Sequence, residues 1–185
     1  MPMPLWVSCR GQLIGWLGRY PRPALTVDAA IVAEGAPPKL LLIKRKHPPC
    51  MGQWALPGGF VDEKEPLLHA AQRELQEETG VAPGDVQLVQ VGAYGDPGRD
   101  PRGWTVSVAY AAMVSATQLG VKAADDAADA QWFDVGALPM LAFDHKLIVR
   151  DSFNRLAQMT SQDSVANDLA KGSKQLDGPW TPPVE

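Results

Sequence analysis

At 185 residues, with a formal net charge of −4 and no long Lys/Arg run, the chain offers no basic surface through which a nucleic-acid polymer would bind. Its 45% hydrophobic and 21% charged residues exclude a disordered or collagen-like chain. The length suffices for one domain, with at most a modest appendage, that buries its core unaided, and the two cysteines, Cys9 and Cys50, lack the number and spacing of a disulfide scaffold or a zinc cluster.

Residues 1–23 read as a lead-in that ends in Tyr20-Pro21-Arg22-Pro23, where two prolines disfavour helix. Its apolar residues Leu5, Trp6, Leu13, Ile14, Trp16 and Leu17 suit the interface of a homodimer, or packing on the chain's own domain. Arg10 and the prolines at 2 and 4 interrupt it, and no stretch reaches the ~20 apolar residues that span a membrane. The expected location is the cytoplasm, or an organelle if a leader has been removed.

A domain is expected over residues 24–160. It opens with strands at 24–33 and 40–45, joined by a turn at 35–38 and read as a β-hairpin, followed by the glycine-broken extended stretch 54–61. Pro66, the recurrence of Leu67, Leu68, Ala71 and Leu75, and Gly80 predict a helix over 66–79 with its apolar stripe on a sheet. Strands follow at 86–93, 104–114 and 131–135, with a Gly/Pro-rich loop at 94–103 and an acidic stretch at 125–129, before a second helix over 144–159. Residues 161–185 read as a weakly ordered tail. This order of elements predicts an α/β layered domain with helices packed on a mixed sheet.

Chemistry concentrates on the first helix. Glu74, Glu77 and Glu78 stand at i, i+3 and i+4, so their carboxylates share one face, where like charges repel unless a cation offsets them. Oxygen ligands choose a hard ion, Mg²⁺ or Mn²⁺, and Mg²⁺ takes few protein carboxylates because substrate phosphates and water fill the rest of its shell. A phosphate-bearing small molecule is thereby implied. For three glutamates alone, the bland alternative is a solvated acidic helix face.

The stretch Gly59, five residues, Glu65, seven residues, then Arg73-Glu74-Leu75-Gln76-Glu77-Glu78-Thr79-Gly80-Val81 resembles the signature of the Nudix hydrolase family at every specified position. The approach Trp54-Ala55-Leu56-Pro57-Gly58-Gly59 looks like the family's as well, and the resemblance covers roughly residues 24–160. It implies an α/β/α sandwich and hydrolysis of a diphosphate by water with the help of divalent cations. Glu74, Glu77, Glu78 and the carbonyl of Gly59 would be the metal ligands, and Arg73 would orient them. Glu65 is read as bracing the junction of loop and helix. The base that takes the proton from water is assigned to Asp126 by the resemblance, with Glu74 or Glu77 as alternatives; an acidic turn is the plain reading of Asp125 and Asp126.

Substrate choice lies outside the signature. Pro97, sixteen positions past Val81, and the lead-in Arg22-Pro23-Ala24-Leu25-Thr26-Val27-Asp28 resemble the ADP-ribose pyrophosphatase subgroup. Arg99 and Arg102 would meet phosphate or ribose, or else pair with Asp96 or Asp100. An adenine ring would need an aromatic clamp, for which Tyr20, Trp54, Phe60, Tyr94 and Trp104 are candidates. His47, His69 and His145 share no metal spacing and read as surface or packing residues. Two rivals stand beside ADP-ribose hydrolysis: a sanitiser of nucleoside triphosphates, and a metabolite sensor of the kind that carries a DNA-binding winged helix. About fifty residues follow Trp132, too few for that helix, and an intact glutamate set favours turnover.

Overall fold

A computed structural model describes residues 21–115 and 127–181; residues 1–20 of the lead-in, Tyr20 among them, and Asp125 and Asp126 lie outside the described residues. Among the described residues seven strands form one mixed sheet: β1 (Ala24–Ala33), β2 (Lys39–Arg45), β3 (Trp54–Ala55), β4 (Gly58–Phe60), β5 (Val89–Tyr94), β6 (Thr105–Val114) and β7 (Ala127–Asp134). Of the three α-helices among the described residues, α1 (Leu67–Thr79) and α2 (His145–Ala157) pack on the sheet and α3 (Asp163–Gln175) lies against α2.

The central strand β1 is buried from Thr26 onward and alternates its side chains between two cores. Ala30 and Val32 join Leu40, Leu42, Ile148, Phe153 and Leu156 on the face covered by α2 and α3. Ala29, Ile31 and Ala33 join Leu41 and Leu75 on the face of α1, next to a cluster of Val27, Ala70, Ala71 and Val108. The result is the expected α/β/α sandwich on a mixed sheet.

Three expectations change. The β1/β2 hairpin is confined to its turn end, Val32 opposite Leu40 and Ala33 opposite Lys39. Along its length β1 pairs parallel with β6, β4 takes its other edge at Thr26 to Asp28, and β2 spends most of its own length on β7. Leu68 is exposed, and Ala70 holds the buried position in its place. Past residue 160, where a weakly ordered tail was expected, α3 lies against α2 with Val165 and Leu169 buried beside Phe153. Truncation of Leu169 to Ala should therefore cost about 3 kcal/mol and lower the thermal midpoint by roughly 5–10 °C, measurable by calorimetry, whereas a loose tail would show no change. None of the helices among the described residues is long and apolar enough to cross a membrane.

Candidate active site

The chain between β2 and α1 changes partner strands. β3 pairs with β2, the chain crosses at Leu56 and Pro57, and β4 then pairs with β1, with the Ala29 amide donating to the Pro57 carbonyl at 2.8 Å. That crossing sets Gly58 and Gly59 against the helix of glutamates. A Cβ on Gly58 would stand 2.1 Å from the Val27 carbonyl oxygen, so only glycine permits this approach of backbone, and one on Gly59 would stand 2.6 Å from the Glu74 carboxyl group and displace it.

Gly58 donates its amide to Glu78 Oε2 at 2.8 Å. Glu78 is 8% exposed, and burial, more than the amide's opposing pull, raises its pKa to about 8; the neighbouring Glu74 and Asp28 add to the rise. Burial also pushes Glu74 upward, against the hydrogen bond it receives from Arg73.

Arg73 ties the helix face together. It grips Glu65 through two bonds of 2.9 Å, and it donates to Glu74 Oε1 at 2.8 Å, Glu77 Oε2 at 3.1 Å and the Phe60 carbonyl at 3.0 Å. These bonds, with Glu65 first, raise Arg73 above its ordinary value and pull Glu65 down to about 2. Glu65 also accepts the Asp62 amide at 3.1 Å, so it joins the loop to the helix as read from the sequence.

Among the described residues no group of three or more acidic, histidine or cysteine side chains is arranged to hold a metal ion. The reason is on the same bonds: Arg73 occupies Glu74 and Glu77, and Glu78 turns to the Gly58 amide. The donor set nevertheless fits a hard cation that brings phosphate and water oxygens of its own, since every donor is a carboxylate or carbonyl oxygen. Two of those carboxylates, the half-buried Glu74 and the buried Glu78, moreover lie where burial disfavours a negative charge.

Beside the two glycines opens a cleft lined by Thr26, Asp28, Arg45, Phe143 and His145 as well as Arg99, Asp100 and Arg102. Arg102 chelates Asp100 through Nε and Nη2, at 3.0 and 2.7 Å to its nearest oxygens, and its guanidinium lies 4.8 Å from the Phe60 ring. Arg45 lies 4.8 Å from the Phe143 ring, and its pKa is lowered first by burial and next by Arg102. Both guanidiniums have partners in place, Arg102 on Asp100 and Arg45 donating Nε to the Pro49 carbonyl at 2.9 Å, and both still line the cleft. Arg99, expected to meet substrate, is buried in a two-bond pair with Asp144 at 2.8 and 2.7 Å and lines the cleft. Pro97 is exposed and lies outside this cleft, lining a neighbouring hollow with Trp104.

His145 was read only as a surface or packing residue. It forms the floor: Nδ1 accepts the Leu56 amide at 3.0 Å, which leaves the proton on Nε2, 3.5 Å from Asp28 Oδ1. Burial lowers its pKa, and Ser107 donates to the other oxygen of Asp28. Arg45 and Phe143 were missed, because nothing in their neighbours along the chain marks them, and Asp28 was noted only as the end of the stretch Arg22 to Asp28, without a role. Of the proposed aromatic clamps, Trp54 packs edge-on against Phe133, Tyr94 donates to Asp151 on α2, and Phe60 faces the cleft through Arg102.

A NUDIX domain is matched over residues 22–152. The chain belongs to the Nudix hydrolase family. Nudix proteins generally use a divalent cation. An ADP-ribose pyrophosphatase of Methanocaldococcus jannaschii is 46% identical over 132 residues, which are 71% of this chain and 74% of that protein. The ADPR responsive transcriptional repressor NtrR of Acinetobacter baylyi is 38% identical over 148 residues, covering 76% of this chain and 57% of the repressor. Among solved structures, the NUDIX domain of Shewanella oneidensis NrtR complexed with ADP ribose superposes with a TM-score of 0.64 at 34% identity, over 77% of this chain and 97% of that domain.

Proposed function

We propose that this Nudix protein hydrolyses the pyrophosphate bond of a nucleoside diphosphate derivative, foremost ADP-ribose, to AMP and ribose 5-phosphate. The observation that carries the reading is the placement of two guanidinium groups, Arg45 and Arg102, in a cleft that also takes in Gly58 and Gly59, the glycines set against Glu78 and Glu74 of α1. An anionic diphosphate lies next to both. The identity with an ADP-ribose pyrophosphatase supports the choice of substrate.

Glu74, Glu77, Glu78 and the Gly59 carbonyl would hold Mg²⁺, with Mn²⁺ as a substitute. Such an ion, when bound, neutralises charge on the diphosphate and acidifies water. The chain's own residues supply the rest. Arg73 keeps Glu74 and Glu77 on one side of the helix and limits their rotamers. Arg45 and Arg102 orient the phosphates, while Arg99 holds the loop that carries Arg102 by its pair with Asp144. Pro97 stiffens the same loop, and Tyr20 is assigned to the nucleoside end. Water adds to one phosphorus, the bridging P–O bond breaks, and the proton passes to a carboxylate, for which Asp126 is the choice.

The test is product analysis with ADP-ribose, NADH and nucleoside triphosphates, comparing the parent with Glu77→Gln. AMP from ADP-ribose at a rate well above triphosphate hydrolysis, and nearly abolished in the variant, is the expected result. Faster hydrolysis of triphosphates would replace ADP-ribose with that class. The kinship with the NtrR repressor favours a second reading, a sensor that binds ADP-ribose without cleaving it; tight binding with no AMP released would establish it.

A further inference from the structure

The segment after α3 returns to the cleft. Trp180 donates its indole Nε1–H to the Phe143 carbonyl at 2.9 Å, and Lys146 Nζ donates to the Pro179 carbonyl at 3.0 Å. Both bonds fall on one corner of the chain, Phe143 to Lys146, where the cleft wall meets α2.

That corner has an unusual backbone. Phe143 has φ 52, in the left-handed region that a residue with a bulky side chain occupies only when its surroundings hold it there. The turn it makes lets three consecutive side chains serve the cleft: the Phe143 ring stands 4.8 Å from the Arg45 guanidinium and 5.7 Å from that of Arg102, Asp144 holds Arg99, and His145 accepts the Leu56 amide. In a regular helix, successive side chains diverge by about 100°, so three in a row would not reach one wall. The guanidinium contacts hold Phe143 from the cleft side, and the Trp180 bond holds its carbonyl from outside.

We propose that residues 178–181 are a strap, in which Trp180 is a positioning residue that keeps Phe143 in its left-handed conformation and so sets how tightly Arg45 and Arg102 grip the substrate. This inference rests on the reading of the cleft as the diphosphate site. Without the indole bond the Phe143 peptide relaxes toward ordinary φ, its ring leaves the two guanidiniums, and the cleft loosens. The carboxylates of α1 are untouched, so binding suffers and the chemical step does not.

The experiment compares the full-length parent, Trp180→Phe, Phe143→Gly and the double variant, measuring ADP-ribose kinetics with Mg²⁺ and hydrogen exchange over residues 141–147 on the same samples. Trp180→Phe keeps a ring and loses the donor. It should raise KM about fivefold to tenfold, the factor one hydrogen bond supplies, keep kcat within about twofold, and speed exchange at the corner. Glycine takes the left-handed conformation freely, so in the Phe143→Gly background the same change at Trp180 should add nothing. Equal KM and equal exchange in parent and Trp180→Phe overturn the strap, as does a Trp180→Phe effect that persists undiminished beside Phe143→Gly. A parent that leaves ADP-ribose uncut overturns the substrate instead, and the exchange comparison then decides the strap alone.

Discussion

Glu78→Gln is expected to lower ADP-ribose hydrolysis roughly a thousandfold, since several kcal/mol of charge stabilisation on the diphosphate would go with the carboxylate. The same variant should make the metal-free protein more stable in alkaline solution. In the folded chain Glu78 keeps its proton to about pH 8, against an ordinary value of 4.5. Between those values the folded state binds a proton that the unfolded state has released, so the stability associated with Glu78 is complete below pH 4.5 and is lost as pH rises through about 8. Glutamine has no such dependence and still offers an oxygen to the Gly58 amide. Thermal midpoints of metal-free parent and variant, taken from pH 5 to 8, should diverge in the variant's favour. Magnesium should raise the parent's midpoint and leave the variant's nearly unchanged, because a ligand stabilises only the state that binds it. A variant with near-parental kcat would remove Glu78 from the machinery.

Asp144→Ala should destabilise the protein by roughly 4 kcal/mol, because it strands the Arg99 guanidinium in the interior. For a chain of this size the expected drop in thermal midpoint is about 10 °C. Both side chains of this pair are buried, so solvent does little to screen the loss. The double replacement Arg99→Met with Asp144→Leu should recover most of that stability, since an apolar pair of similar volume removes the stranded charge. Its kinetics then decide the role of Arg99. A KM near the parental value means that Arg99 only props the loop bearing Arg102; a KM that stays raised although stability is restored means that Arg99 itself meets the phosphates.

Both predictions concern residues of different legibility. The acidic face of α1 could be read directly, because a helix places i, i+3 and i+4 together wherever it is found, and Gly80, with φ 74, ends it where the sequence marks the stop. The strands were legible from their β-branched and leucine-rich composition between turn residues, whereas the split of β1 side chains between two cores shows only in the fold, since nearly every residue of β1 is apolar or buried. The helix α3 was not legible, since two of its four buried residues are Gly172 and Ser173. A Cβ at Gly172 would lie 2.8 Å from the Val135 carbonyl, so this face packs by close approach of backbone, which a reading based on apolar side chains does not detect.

By itself, the sequence determined the family, the sandwich of helices on a mixed sheet, and the helix face that presents three glutamates beside Gly59. The family and the helix face follow from spacing within about twenty residues, and the sandwich from the order of elements along the chain. Only the tertiary structure decided the cleft: Asp28 comes from β1, Arg45 from the end of β2, Arg102 from the loop before β6, and Phe143 and His145 from the entry to α2. Those positions are brought together by strand order, above all by the parallel pairing of β1 with β6 and the crossing of the chain at Leu56. It also decided that Arg99 is spent on Asp144 while Arg102 keeps a face toward solvent. Burial is a property of the assembled fold, and the charge an arginine can offer a ligand depends on it.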